Sequence, residues 1–156
     1  MPGSSDFPLS EPELAFLREL ARTNTRFLVV GLGAAVLQGA DAVTQDLDLW
    51  FESLGDPAIA RAAQVAGGVF VARSSPPMIA GEGLDRLDVV TQCDGLKTFA
   101  AEYAKAVDLP IADFTIKILP LYRVIASKRA AGRPKDKAVL EALRAALVAR
   151  RAARKR

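Results

Sequence analysis

The segment FLVVGLGAAVLQGADAVTQDLDLWF, residues 27–51, constrains the fold more than any other part of the sequence. Its apolar run at 27–30 predicts a buried strand. A glycine-rich turn follows, and residues 33–37 then predict a short helix that ends at Gly39. Residues 46–51 predict a second strand. The segment therefore predicts strands and a helix in close succession.

Two aspartates, Asp46 and Asp48, occupy alternate positions in a segment that otherwise has the composition of a buried strand. Because strand side chains alternate between faces, we expect both carboxylates on one face, together with Trp50. Burying unpaired carboxylates would be prohibitive, so that face is either open to water or holds a cation. The sequence alone leaves a solvated strand face as the alternative.

A third strand acid, Asp88, lies in the apolar run RLDVVT. Three strand carboxylates in one small sheet are the layout that oxygen-preferring Mg²⁺ requires, and Mn²⁺ is a second candidate ion. Two such ions about 3.5–4 Å apart can clamp a phosphoryl or nucleotidyl transfer. Asp46, Asp48 and Asp88 are therefore candidate metal ligands and catalytic residues.

The remaining elements mix helix and strand. The sequence LSEPEL has the form of a capping box, with Ser10 before a helix and Glu13 three residues later. Pro57 follows Asp56 at a helix start, and two glycines, Gly67 and Gly68, end that helix. Further predicted elements are helices at 10–23, 94–105, 121–131 and 134–152, and strands at 69–72, 86–91 and 114–119.

The strands lie in the middle of the sequence and the helices at both ends, which predicts an α+β or mixed α/β domain. We expect one domain over residues 1–156. Its expected parts are a flexible start at 1–9, C-terminal helices at 120–152 and a basic tail at 153–156 that frays.

Composition excludes several classes of chemistry. The chain has no histidine, which excludes Ser-His and Cys-His triads and HExxH zinc sites. Its single cysteine, Cys93, excludes an intrachain disulfide and suits a reducing cytoplasm. No secretory signal is apparent, and no apolar run approaches the ~20 residues of a membrane helix. We expect a cytoplasmic protein without a membrane segment.

Charge is distributed unevenly. Residues 1–122 carry 9 basic and 16 acidic side chains, a balance of −7, whereas residues 123–156 carry 12 basic and 2 acidic ones, a balance of +10. The basic end is either a solubilising tail that complements a helix dipole or a contact surface for a polyanion such as RNA.

The glycine turn also has a chemical interpretation. In VVGLGAAV a strand leads into a helix start, and such a turn offers free N–H groups to phosphate, with Gly31 and Gly33 as the candidate positions. A dinucleotide-binding unit is the alternative, but the third glycine of its motif and its long crossover helix are both missing.

Together these segments resemble the nucleotidyltransferase superfamily. The resemblance rests on the glycine turn, the short helix, Thr44-x-Asp46-x-Asp48 and the later Asp88. LYRVIASKRAAGRPKDKAVLEAL is similar to a segment common in the minimal, abortive-infection-toxin-like branch, which is associated with toxin–antitoxin pairs. The similar segments span 27–52, 85–96 and 119–147. The resemblance implies a small mixed sheet flanked by helices, the three aspartates as metal ligands, and an NTP such as ATP as donor.

The basic C-terminal half supplies further candidates. Lys128 lies on the apolar stripe of its helix, where it either extends to solvent or faces phosphate, as the resemblance implies. The resemblance also implies that Thr44 lies near the phosphates. Asp136 is a cap residue or, as in toxin-like relatives, part of the site. Arg129 and Arg133 are candidate phosphate or RNA contacts.

The expected function is Mg²⁺-dependent transfer of a nucleotidyl group from an NTP to a hydroxyl acceptor, with release of pyrophosphate. The acceptor, whether RNA, protein or a small molecule, stays open. The alternative is a catalytically weak or inactive nucleotide- or RNA-binding module on the same fold. Leu32, where the family usually has glycine or serine, favours that alternative.

Overall fold

The computed structural model describes residues 8–155, and within that range the chain forms a seven-stranded mixed sheet with six helices. In chain order the elements are α1 (Glu11–Arg22), β1 (Phe27–Val30), α2 (Gly31–Leu37), β2 (Leu47–Phe51), α3 (Pro57–Val65), β3 (Val69–Val71), β4 (Met78–Ala80), β5 (Leu87–Val90), α4 (Phe99–Tyr103), β6 (Val107–Ile111), β7 (Phe114–Ile118), α5 (Leu121–Ala131) and α6 (Pro134–Arg154).

The strand order across the sheet is β3-β4-β5-β2-β1-β7-β6. Strand β5 runs parallel to β2, and β7 runs parallel to β1, while the other neighbours are antiparallel. Strands β1 and β2 lie at the centre and are almost entirely buried. The predicted mixed α/β fold with C-terminal helices is confirmed.

Local signals place several element boundaries where the sequence predicts them. Ser10 Oγ accepts from Glu13 N at 3.1 Å, and Glu13 Oε1 accepts from Ser10 N at 2.8 Å, which is the predicted capping box. Asp56 caps α3 by accepting from Ala58 N at 2.9 Å. The break between α5 and α6 falls at Gly132, which has a left-handed backbone conformation with a φ of 64° and so ends α5.

Two strands and one helix differ from the sequence predictions. Strands β4 and β6 were not predicted. Helix α4 begins after Thr98, whose Oγ1 accepts from Ala101 N at 3.2 Å, and not at Asp94. Asp94 instead lies in a turn with Gly95, whose φ is 71°. The helical prediction for 94–105 is therefore too long at both ends.

The predicted terminal segments also differ in part. Helix α6 continues to Arg154, so residues 153 and 154 of the predicted fraying tail are helical. Residues 1–7 of the predicted flexible start, and residue 156 of the tail, lie outside the described residues.

Two buried carboxylates hold helices to the rest of the fold. Glu13 of α1 pairs with Arg86, which directly precedes β5. Glu102 of α4 accepts from Arg123 of α5 at 2.8 and 2.7 Å and from Lys97 N at 2.8 Å. Because both carboxylates are fully buried, removing its arginine would deprive each one of its nearest cationic partner. These pairs fix α1 and α4 in place.

None of the helices within residues 8–155 is both long and apolar enough to span a membrane.

Candidate functional site

Asp48 of β2 and Asp88 of β5 lie side by side in register on parallel strands. Neighbouring strands are about 4.8 Å apart, and residues in register point to the same face. On the outer sides of the pair, Val30 of β1 is in register with Asp48, and Met78 of β4 with Asp88. Two carboxylates therefore occupy the middle of a row that crosses four strands.

Asp46 lies just before this row. Strand β2 begins at Leu47, so Asp46 precedes the strand that was predicted to contain it, and its side chain is exposed. The Thr44 hydroxyl donates to the Asp46 carbonyl at 3.1 Å and accepts from Asp46 N at 3.3 Å. Thr44 thus closes a short turn that sets the backbone of Asp46.

The three aspartates influence one another electrostatically. Burial, followed by the charge of Asp88, raises the pKa of Asp48 to about 6, with Lys128 opposing the rise and Asp46 adding to it. Burial and then the charge of Asp46 raise the pKa of Asp88. Negative charge is therefore crowded here, and a cation would relieve the crowding.

All three candidate ligands are carboxylate oxygens, which suit Mg²⁺. Nevertheless, within residues 8–155 no group of three or more His, Cys, Asp or Glu side chains is arranged to hold a metal ion. The donor chemistry and the crowded charge fit a divalent cation, but the described chain does not present a preassembled three-acid cage.

Gly31 lies directly against the Asp48 carboxylate of this pair. Its φ is 69°, and a Cβ at this position would lie 2.5 Å from Asp48 Oδ2. Glycine is therefore required both for the left-handed backbone and for the close approach of the carboxylate. Gly31 begins α2 at the end of β1, so the predicted turn lies against the acidic site.

Gly33 has a different position. It is buried in α2, and a Cβ would lie 3.0 Å from Leu47 Cδ1 and 3.2 Å from the Asp46 carbonyl oxygen. Its lack of a side chain lets α2 pack against the start of β2. Leu32 is partly buried and packs against the hydrophobic core. Of the two predicted phosphate-binding glycines, only Gly31 lines a cleft at Asp48.

Two cavities meet at Asp48 and Val90. One, of about 140 Å³, also includes Gly31, Lys128 and Arg133 in its lining, and we call it the cationic cleft. The other, of about 450 Å³, lies on the Asp88 side, and we call it the proline cavity. Its lining also includes Pro76, Pro77, Met78 and Asp85.

Asp136 positions the two cations of the cationic cleft. Its side chain is 1% exposed and accepts from Arg133 Nε at 2.6 Å, while Lys128 Nζ lies 3.4 Å from Oδ1. It also accepts from Arg133 N at 3.2 Å and so caps the start of α6. The Arg133 hydrogen bond in particular keeps the pKa of Asp136 below its ordinary value. The predicted capping role is confirmed.

Not every candidate lies in the cationic cleft. Arg129 is exposed and is not part of its lining. Cys93, which was not among the candidate site residues, does line it. Burial, followed by the charges of Asp48 and Asp94, raises the pKa of Cys93 to about 11, so the residue remains a thiol at neutral pH.

Sequence reasoning missed the proline cavity and the pairing of Lys128 with Asp136. The Ser-Ser-Pro-Pro stretch indicates a loop, but it does not indicate that this loop packs beside Asp88. Lys128 and Asp136 lie on either side of the short break between two predicted helices, and this closeness in sequence is the signal that could have linked them.

Among solved structures, the chain is similar to the crystal structure of the nucleotidyltransferase ANT(2″)-Ia in complex with adenylyl-2″-tobramycin. The TM-score is 0.53 and the identity 16%, over 87% of this chain and 86% of that one. No known protein-family profile matches the sequence, and no curated protein matches it. At this identity the likeness shows a nucleotidyltransferase-like fold.

Proposed function

We propose that this protein is a divalent-metal-dependent nucleotidyltransferase that moves a nucleotidyl group from an NTP to a hydroxyl acceptor. The observation that carries the proposal is the register of Asp48 with Asp88, next to a cleft containing Lys128 and Arg133. Acidic side chains that could bind a divalent cation therefore lie next to basic side chains that could bind phosphate. The fold that carries them is also found in a nucleotidyltransferase.

In this proposal the cationic cleft receives the triphosphate. Lys128 and Arg133 bind its phosphate oxygens, and Asp136 holds both side chains in position. Gly31 leaves room for the Asp48 carboxylate at the floor of the cleft. Preorganised charge of this kind supplies most of the rate in phosphoryl transfer.

Asp46, Asp48 and Asp88 would hold Mg²⁺ or Mn²⁺, with the exposed Asp46 completing the set. When bound, the ion would supply positive charge to the α-phosphate and to the departing pyrophosphate. The proline cavity beside Asp88 leaves room for the acceptor.

The reaction is an in-line exchange of one P–O bond for another. The acceptor oxygen bonds to the α-phosphorus while the bond to the bridging oxygen breaks and pyrophosphate leaves with the electron pair. The hydroxyl proton passes to Asp88, a carboxylate in the lining of the proline cavity that leaves room for the acceptor.

We also propose that residues 1–156 form one domain and act in the cytoplasm. The similarity of segment 119–147 supports placement in the minimal, abortive-infection-toxin-like branch of the superfamily.

The direct test is label transfer from each NTP, labelled at the α-phosphate, to total cellular RNA, protein or small hydroxyl compounds with Mg²⁺ or Mn²⁺. We expect transfer with the wild type, none with Asp48→Asn or Asp88→Asn, and unchanged transfer with Glu141→Gln, an exposed acid on α6. Transfer that persists in both aspartate variants would refute the assigned site.

A binding assay tests the metal separately. Calorimetric titration should show Mn²⁺ binding that the double substitution Asp46→Asn and Asp48→Asn removes, and unchanged binding in that variant would remove the metal site from the proposal. Leu32, at a position where the resemblance leads us to expect glycine or serine, favours the alternative, a non-catalytic nucleotide- or RNA-binding module. That alternative predicts NTP binding without label transfer.

A further inference from the structure

A third cavity, of about 300 Å³, lies between the last turns of α6 and the start of α5. Three arginines of α6, Arg150, Arg151 and Arg154, line it, and we call it the arginine cavity. Lys105 and Tyr122 also contribute to its walls. Among the described residues it shares none of its lining with the cationic cleft or the proline cavity, so it is separate from the proposed transferase site.

Among the described residues, acids do not balance the positive charge of the three arginines. Within residues 8–155 the lining contains no carboxylate, and no ion pair joins any of the three arginines to an acid. Lys105 lies 4.0 Å from Glu102 and is the one lining cation with an acidic partner in that range. Burial and the charge of Arg154 lower the pKa of Arg150. An anion in the cavity would relieve this repulsion.

One wall of the cavity is firmly fixed. Arg150 Nη1 donates to the Gln38 carbonyl at 3.3 Å, which ties α6 to the end of α2. The Gln38 side chain is buried and donates to Ala34 O at 3.0 Å and to Leu119 O at 2.8 Å. Arg150 is therefore held in place before any ligand arrives, which lowers the entropy cost of binding.

An aromatic side chain adjoins these cations. Tyr122 is 45% exposed, although the neighbouring Leu121 is buried. Arginines that follow a phosphate backbone, together with an exposed aromatic ring on which a base can stack, are the combination used by proteins that bind single strands. A purely phosphate-binding site would not need the ring.

We propose that the arginine cavity binds single-stranded nucleic acid, with Arg150, Arg151 and Arg154 contacting the phosphodiester backbone and one base stacking on Tyr122. This binding does not depend on the proposed transferase activity. It needs neither NTP nor a divalent ion.

The test uses the full chain and fluorescent oligonucleotides of about 16 nucleotides, RNA and DNA, across about 50 to 200 mM salt. Each phosphate contact contributes roughly 0.7 to the slope of log affinity against log salt for single strands. The double substitution Arg151→Gln and Arg154→Gln should therefore flatten the slope by about 1.4 and weaken binding about 20-fold at 0.1 M salt.

The matched control, Lys137→Gln with Arg144→Gln, removes two exposed cations from the same helix but outside the cavity. We expect the control to retain most of the affinity. An equal loss in both double variants would overturn the proposal, since binding would then depend on net charge alone.

Base stacking is tested at Tyr122. Tyr122→Ala should weaken oligonucleotide binding at least about fivefold, whereas Tyr122→Phe, which keeps the ring, should not. Inorganic polyphosphate, which has no bases, should bind with the same affinity to wild type and Tyr122→Ala. If Tyr122→Ala has no effect and polyphosphate binds as tightly as the oligonucleotides, the cavity accepts any polyanion and the nucleic-acid proposal is wrong.

Discussion

Substituting alanine for Gly31 isolates the contact on which the acidic site depends. The new Cβ would lie 2.5 Å from Asp48 Oδ2, whereas ordinary contact begins at 3.4 Å. The carboxylate must therefore withdraw by about 1 Å. Because Asp48 is beside Asp88 in register, that movement disturbs the acid pair directly.

The substitution also strains the backbone. An alanine at a φ of 69° costs about 1–2 kcal/mol, independently of any contact. Gly67 is the matched control, because its φ is 86° and a Cβ there would meet nothing within 4 Å. Gly67→Ala thus carries a similar backbone penalty at the end of α3 without touching an acid.

We expect both variants to lose about 1–2 kcal/mol in the free energy of unfolding, measured by urea denaturation. Only Gly31→Ala should weaken Mn²⁺ binding and reduce label transfer, the latter by about 100-fold, the typical cost of a 1 Å misplacement. Calorimetry and label transfer on the same samples give the comparison. If Gly31→Ala binds Mn²⁺ as tightly as Gly67→Ala does, the contact with Asp48 does not control the site.

Two further predictions concern buried charge. In metal-free buffer, Asp48 has a pKa raised from 3.8 to about 6, so the folded state holds that proton more tightly and stability falls as pH rises through this range. Asp48→Asn should therefore be more stable than wild type by about 3 kcal/mol well above pH 6 and equal to it at about pH 3.5. A difference in the free energy of unfolding that does not change with pH, measured by urea denaturation, would contradict this. Asp136→Asn should cost about 3 kcal/mol by thermal unfolding, because Lys128 and Arg133 lose their buried partner. Asp113→Asn removes an exposed pair with Arg18, at 72% and 44% exposure, and should barely change the unfolding temperature. Similar losses in both variants would show that burial is not the cause.

Local sequence signals were enough to predict several element boundaries. The capping box at Ser10, the Asp56 cap and the Gly132 break act within one helical turn, so residues close in sequence fix those boundaries. The alternation of acids with apolar residues likewise identified Asp48 and Asp88 as unusual strand residues, before their register was known.

Elements without a strong local signal depended on their neighbours. Strand β6 contains Pro110 and lies at the sheet edge, where antiparallel pairing with β7 holds it extended. Strand β4 has three residues and exists between β3 and β5 because both supply hydrogen-bond partners. Propensity over such short segments is too weak to predict a strand.

Tertiary structure alone decided which residues meet. Sequence analysis gave Gly31 and Gly33 the same role, but chain packing set Gly31 against the Asp48 carboxylate and Gly33 against Leu47. In the same way, Lys105 joins the arginines of α6 around one cavity although they are distant in sequence. Side-chain contacts of this kind depend on how helices and strands pack across the fold. No local pattern of residue types specifies the distance between two side chains that are far apart in sequence.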